Sequence, residues 1–352
     1  MAEILGLGLT HYSGLRFTDA DMSIFLRRTL GGSRVPAAMK DPANWPAAMR
    51  KEWADDQGAA AAAEHRKRNL DAFAAIKAEL ARFKPDFVVI WGDDQYENFT
   101  EDMVPPFCVY VLDRIESTPF APDPRQPEGA NPWGEDAATT FVHRGHAEGA
   151  AYLAEHLSER GLDVPYAYRL RYHRGLAHAF INTLMFLDYD RQGFEHPVVP
   201  FHVNCYGGDL IRTQGGHLAP GAAGALRDPP APTARACFEL GRAIAAVLAA
   251  SPWRVALMAS SSWSHAFLTE KNSWIYPDHE SDRARLAELR AGDYARWRDL
   301  SREEIEAAGQ HEFRNWICLA GAMSEIGAEV EIIDYLESYV MNSNKCFAVL
   351  RP

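Results

Sequence analysis

Residues 86 to 99, Asp86-Phe-Val-Val-Ile-Trp-Gly-Asp-Asp-Gln-Tyr-Glu-Asn-Phe99, constrain this chain more than any other stretch. The apolar run Phe87 to Trp91 follows directly on Pro85 and stops at Gly92. A run that short and rich in β-branched residues reads as a strand buried on both faces. The chain then turns abruptly polar, through Asp93, Asp94, Gln95, Glu97 and Asn98. Taken alone, such residues also suit a solvated turn. At the end of a buried strand they fall on the rim of a sheet, where α/β proteins build their sites.

Composition narrows the classes. The chain has 352 residues, 47% of them hydrophobic, enough for a large core. A net charge of -12 with no long basic run speaks against a nucleic-acid surface. Five scattered cysteines (Cys108, Cys205, Cys237, Cys318 and Cys346) show no CxxC spacing. That pattern predicts reduced thiols in a cytoplasmic protein, not a disulfide frame or a zinc knuckle. No basic leader precedes the short run Ile4 to Leu9, and no stretch approaches a membrane span.

Read in order, the chain alternates strands and helices. Residues 3 to 9 predict a first strand, ending in Thr10-His11-Tyr12-Ser13-Gly14. A helix is expected over 19 to 30. Residues 31 to 57, with Pro36, Pro42 and Pro46, read as an irregular insertion carrying a short helix. A long helix over 58 to 83 feeds the strand at 87. Further strands are expected at 107 to 111, 166 to 171, 198 to 205 and 254 to 260. The last is expected at 329 to 333. Helices are expected at 146 to 160, 233 to 250, 279 to 297 and 312 to 323. Residues 117 to 139 hold Pro119, Pro122, Pro124, Pro127 and Pro132 and predict a long loop. Residues 214 to 232 read as a Gly- and Pro-rich link. The alternation predicts a single α/β domain over residues 1–352.

Strand ends and helix starts collect the chemistry. His11, Asp94/Gln95 and His265 follow strand-like runs, His178 follows another at a short distance, and Glu312 opens a helix. Each has an ordinary reading: a loop histidine, a core histidine at 178, a cap at 265, a helix-start carboxylate at 312. His65, His143, His173, His202 and His311 receive no role. Histidine and carboxylate together are the ligands of non-haem iron with open positions.

Five landmarks in order carry a family resemblance: Thr10-His11; Trp91-Gly-Asp-Asp-Gln-Tyr-Glu-Asn-Phe99; Leu176-Ala-His178-Ala-Phe; Ser260-Ser-Ser-Trp-Ser-His265; and Gly309-Gln-His-Glu312-Phe-Arg-Asn-Trp316, followed by Gly321-Ala322. The sequence resembles the class III extradiol ring-cleavage dioxygenases, the family of the protocatechuate 4,5-dioxygenase β subunit. The resemblance implies an α/β domain with a central mixed β-sheet flanked by helices. It implies an Fe(II) cofactor with His11 and Glu312 as metal ligands, and His178 and His265 as catalytic, non-ligand histidines. Where the family places its second ligand histidine, this chain has Gln95. An amide oxygen keeps the charge of the site but is a weaker donor for iron. Asp94 beside it is the other candidate for that position.

The function so implied is ring cleavage of a vicinal aromatic diol, or an aminophenol or pyridinediol analogue, with O2. His265 is the preferred acid-base residue. Tyr12, Arg174 and Tyr206 are candidate substrate contacts. The expected partners are the small aromatic substrate, O2 and further copies of the chain in a homo-oligomer, with neither nucleic acid nor membrane. Two alternatives stay open: a Zn- or Mn-dependent hydrolase or lyase on the same scaffold, and a non-catalytic relative that binds a metal or ligand.

Overall fold

The computed structural model describes residues 3–123, 129–207 and 229–352. Most of the Gly- and Pro-rich link expected at 214 to 232, and part of the loop at 117 to 139, lie outside the described residues.

The strands are β1 (Ile4–Leu9), β2 (Phe87–Gly92), β3 (Phe107–Tyr110), β4 (Arg114–Ser117), β5 (Phe141–Arg144), β6 (Tyr166–Ala167), β7 (Val198–Val203), β8 (Val255–Ser260), β9 (Glu329–Leu336) and β10 (Lys345–Arg351). Among the described residues the α-helices are α1 (Ile24–Gly31), α2 (Ala47–Trp53), α3 (Ala59–Phe83), α4 (Ala147–Glu159), α5 (His178–Leu187), α6 (Ala234–Ala249), α7 (His279–Ala291), α8 (Tyr294–Arg298), α9 (Arg302–Ala307) and α10 (Phe313–Glu325).

Eight strands form one mixed sheet in the order β6-β3-β7-β2-β8-β1-β10-β9. The four central strands, β7, β2, β8 and β1, are parallel. Antiparallel strands flank them, β3 beside β7 and β10 with β9 beside β1. β4 and β5 pair separately as a small antiparallel ribbon.

β2 shows why the sequence selects this architecture. Successive side chains of a strand point to opposite faces. Phe87, Val89 and Trp91 enter one core layer with Leu153 of α4, Ile244 of α6 and Ile317 of α10. Val88 and Ile90 enter the other with Phe73, Ile76 and Leu80 of α3 and Phe180 of α5. A continuous apolar run is what a parallel strand covered by helices on both faces requires. The helix pair α6 and α10 packs closest where Gly241 meets the Cys318 carbonyl and Gly321 meets the Phe238 carbonyl. A Cβ at either position would fall within 2.0 Å of that oxygen.

Several expected boundaries move. The strand expected at 166 to 171 is only the two-residue β6 at the sheet edge. The helix expected at 279 to 297 breaks at Gly292, whose φ of 66° ends α7 before α8 begins. The helix expected from residue 19 starts at Ile24. β9 is not the last strand: β10 follows it and pairs with β1. β4 and β5 lie inside or beside the stretch expected as loop.

In the insertion, α2 is held to the C-terminal half by Glu52, which accepts hydrogen bonds from the Ser338 hydroxyl and from Tyr339 N at 2.7 Å. No described helix is long and apolar enough to cross a membrane.

Candidate active site

The carboxyl ends of the four parallel strands lie along one edge of the sheet. β1 runs into Thr10-His11, β2 into Asp93-Asp94-Gln95, β8 into Ser261 to His265, and β7 into Asn204-Cys205-Tyr206. Two helix starts face the same edge, with His178 opening α5 and Glu312 capping α10. Helix N-termini favour negative charge.

His11 is 3% exposed and its tautomer is set by its partners. Nδ1 lies 2.9 Å from the Ser260 carbonyl oxygen, which can only accept, so Nδ1 carries the proton. Nε2 faces Glu312 Oε2 at 3.3 Å and Asp93 Oδ1 at 3.9 Å. Three electron-rich atoms converge there. Glu312 Oε2 and Asp93 Oδ2 are both buried and accept no well-aligned hydrogen bond among the described residues. Burial and the neighbouring Glu312 push the Asp93 carboxyl up to about 7. Burial would also raise Glu312, but His265 and His11 beside it hold it below the usual carboxylate range. Burial opposes a charge on His11, but Glu312 more than offsets it and raises its pKa, so without a metal the cluster is neutralised by protons on His11 and Asp93, and a cation can take the place of those protons. His11, Asp93 and His178 each offer a ligand atom within 4.8 Å of the others. The donor set therefore fits a divalent metal.

The outer partners are fixed. His178 Nδ1 lies 3.0 Å from Glu97 Oε2, and Glu97 also accepts from the His178 backbone N at 3.1 Å. Burial works against a charge on His178, but Glu97 more than offsets it and lifts the imidazole to about 9. A carboxylate orienting a histidine through Nδ1 is the usual support around metal sites. His265 Nε2 lies 3.5 Å from Glu312 Oε1, and burial lowers its affinity for a proton. The His11 and His178 rings meet edge to face at 5.0 Å.

Gln95 is half-buried at the rim. Its Nε2 lies 3.3 Å from Glu312 Oε1 and also reaches the Tyr206 hydroxyl. A carboxylate only accepts, so the amide presents its nitrogen to it. Tyr206 donates its hydroxyl to the same Glu312 Oε1, and burial raises its pKa well above the usual value. Tyr206 therefore stands at the cluster.

Asp94 does not. Its Oδ1 accepts from Glu97 N at 2.7 Å and its Oδ2 from Asn98 N at 2.8 Å, so the alternative of Asp94 as a metal ligand gives way to a turn-forming role. Tyr12 also leaves the site. Its hydroxyl donates to the Met22 carbonyl at 3.1 Å, and Lys345 Nζ lies 3.8 Å from the centre of its ring. A strand-exit residue next to His11 points to the opposite side, into the α3 layer.

Arg174 is buried beneath the 118–123 segment, with Nε 3.4 Å from the Thr118 carbonyl and Nη1 3.5 Å from Asp123 Oδ2. Arg16, just beyond His11, donates to the adjacent Pro119 carbonyl at 2.6 Å. Asp93 and Glu97 were given no role from the sequence alone. The signal available was their position one residue after, and five after, Gly92.

Residues 228–347 match the family described as the catalytic LigB subunit of aromatic ring-opening dioxygenase. Over those residues the chain is similar to the class III extradiol dioxygenases. It is an oxidoreductase of the ring-cleaving dioxygenase class.

Among curated relatives, it is 27% identical over 285 residues to 2,3-dihydroxyphenylpropionate/2,3-dihydroxicinnamic acid 1,2-dioxygenase of Paraburkholderia xenovorans (strain LB400), covering 74% of this chain and 83% of that protein. The enzyme of the same name from Cupriavidus necator is 24% identical over 284 residues, with the same coverage of each. An uncharacterised Escherichia coli K12 protein of known structure superposes with a TM-score of 0.46 at 13% identity, covering 81% of this chain and 92% of that one. The matched family region contains His265, Glu312 and the whole of α10.

Proposed function

We propose that this chain is, as one catalytic domain, an Fe(II)-dependent extradiol dioxygenase that opens the ring of a vicinal aromatic diol, or an aminophenol or pyridinediol analogue, with O2. The observation that carries the reading is the convergence of His11 Nε2 on the buried Glu312 Oε2 at 3.3 Å, with Asp93 Oδ1 3.9 Å from the same nitrogen.

His11 and Glu312 are the fixed pair of metal ligands, and Gln95 completes the set through its carbonyl oxygen. A cation beside Glu312 reverses the preference described above, so the amide turns its oxygen inward. A second reading puts Asp93 in the third position. It is favoured by the 4.8 Å grouping of Asp93 with His11 and His178. Iron retention separates the two: Asp93→Asn weakens it under the second reading, and Gln95→Ala under the first.

When bound, the iron supplies open positions for the two substrate oxygens and for O2. The protein's own groups hold the protons. His178, with Nδ1 committed to Glu97 and its imidazole held protonated at neutral pH, would steady the negative charge left when the substrate gives up a proton. His265, less basic because it is buried, exchanges a proton at a ring nitrogen during cleavage. Tyr206, against Glu312, is the nearer candidate substrate contact, and Arg174, under the 118–123 segment, the more distant one. The relatives described above are named for 2,3-dihydroxyphenylpropionate, which makes it the first substrate to try.

The test is anaerobic reconstitution with Fe(II), followed by a panel of vicinal diols, aminophenols and pyridinediols under O2. The reading predicts oxygen uptake equal to substrate consumed, with ring-opened yellow products. No uptake with iron, but turnover of an ester or C–C bond with Zn or Mn, would overturn it in favour of a hydrolase or lyase. Ligand binding without turnover under any metal would point to a non-catalytic relative.

A further inference from the structure

Asp282 lies on the first turn of α7, outside the metal cluster, and is fully buried. Its surroundings are unusual for a carboxylate that is not paired with a cation. Oδ1 accepts from Gln310 Nε2 at 2.6 Å and from Ser264 N at 3.2 Å. Oδ2 accepts from Asn344 Nδ2 at 2.7 Å and from the Ser264 hydroxyl at 2.5 Å. The donors come from three separate segments. Ser264 immediately precedes His265. Gln310 lies two residues before Glu312. Asn344 sits in the turn before β10.

The same segments are stitched to one another. His265 N donates to the Gly309 carbonyl at 3.0 Å, Trp263 N to the Asn344 carbonyl at 3.0 Å, and Ala266 N to the Asn342 carbonyl at 2.6 Å. Asp282 is thus the common acceptor of the loop that carries His265 and the turn that delivers Glu312. A hydrophobic side chain could fill the space but could not fix two loops in register. A carboxylate taking four directed bonds from three segments can.

We propose that Asp282 is a positioning residue for this active site, setting the placement of His265 relative to Glu312 through Ser264 on one side and Gln310 on the other. The inference rests on the roles given above to His265 and Glu312. Asp282 touches neither substrate nor metal; it acts through its two neighbours. The two arms make separate predictions. The Ser264 arm governs the acid-base histidine, so its loss shows in turnover. The Gln310 arm governs the metal-ligand helix start, so its loss shows in iron retention.

The experiment uses the full chain reconstituted with Fe(II), measuring iron retention by chelator competition and turnover per bound iron on 2,3-dihydroxyphenylpropionate, or on the fastest member of the diol panel. Asp282→Asn places an amide N–H against two of the donors. It should lower both iron retention and kcat per bound iron by roughly 10- to 100-fold, the scale for losing an outer partner, with KM within about twofold. The exchange D282N/Q310E keeps the net charge and restores the amide–carboxylate link between positions 282 and 310, with donor and acceptor exchanged, and no other. It should bring iron retention back to within about threefold of wild type, by the same scale, while kcat per bound iron stays low.

If Asp282→Asn fails to fold, Ser264→Ala and Gln310→Met each remove one arm and leave the carboxylate. The first should lower kcat at unchanged iron retention, and the second should do the reverse. Wild-type kcat per bound iron in Asp282→Asn, whatever its melting temperature, would overturn the proposal, as would equal effects of the two single-arm variants on both readouts. A wild-type protein that binds no iron would instead sink the functional reading on which the proposal rests.

Discussion

Asp282 and Glu312 are buried carboxylates, at 0% and 1% exposure, joined through the short link from Gln310. Their environments are opposites. Asp282 is met only by donors, from the Ser264 backbone and hydroxyl, Gln310 and Asn344. Glu312 has donors on Oε1 but turns Oε2 to the His11 imidazole, with Asp93 close by. A polar cluster closed on itself fixes a scaffold. One that leaves acceptors facing acceptors is arranged for something that is not protein. The comparison separates the part of the rim that positions from the part that binds.

The largest break in that comparison comes from removing the open pair. Glu312→Ala or His11→Ala should cut iron retention by more than about a hundredfold, beyond the range for outer partners, and abolish turnover. Chelator competition and oxygen uptake read both, and normal iron retention in either variant would dissolve the proposed centre.

His265→Ala comes next. It should lower turnover by about a hundredfold or more, the scale for one acid-base group, with iron content nearly unchanged. Loss of iron together with turnover would make His265 a ligand.

Glu97→Gln keeps a carbonyl acceptor for His178 but removes the charge that raises its basicity. About a tenfold fall in kcat is expected, with substrate affinity retained.

The stability of the metal-free protein sharpens the contrast by sign. Asp93→Asn removes a charge that burial and Glu312 oppose, and should stabilise the metal-free fold by about 1–3 kcal/mol near neutral pH. Asp282→Asn should destabilise it by a similar amount, because donors are left unpaired. The pH dependence follows from the raised carboxyl of Asp93, at about 7 against an unfolded value near 4. In that interval the folded state holds the proton more strongly, so wild-type stability falls as pH rises from 4 to 7. The advantage of Asp93→Asn therefore grows over the same interval and vanishes below it. Denaturant melts of apo-protein at pH 5 and pH 7.5 measure it, and the same sign for both variants would erase the distinction.

The smallest effect expected is from Gln95→His, which should strengthen iron retention severalfold, imidazole being a better iron donor than an amide. Weaker retention would count against Gln95 as a ligand.

What could be read from the sequence follows the physics of each segment. β2 was legible because a short apolar run after a proline leaves few alternatives, and its burial on both faces predicted a helix-covered sheet. His11, His178, His265 and Glu312 were singled out because each marks a strand end or a helix start, and the structure brings all four to one edge. The adjacent aspartates were not separable. At a strand exit one of two neighbours turns inward, and which one depends on the turn that Asp94 makes with the backbone of residues 97 to 98.

β10 was missed because it begins at a lysine. The Lys345 ammonium is buried and donates to the Met341 and Ser343 carbonyls at 2.7 Å and 2.5 Å, which no local pattern announces. Asp282 was invisible for a related reason. It sits in the helix expected at 279 to 297, and only the tertiary fold brings three loops onto its carboxylate.

The central claim is that the His11–Glu312 gap holds iron. Anomalous diffraction at the iron absorption edge, from crystals reconstituted anaerobically with Fe(II), tests it most directly. The account predicts a single strong peak between His11 Nε2 and Glu312 Oε2, within bonding distance of both. A peak elsewhere in the molecule, or His11 and Glu312 turned away from the peak, would contradict it.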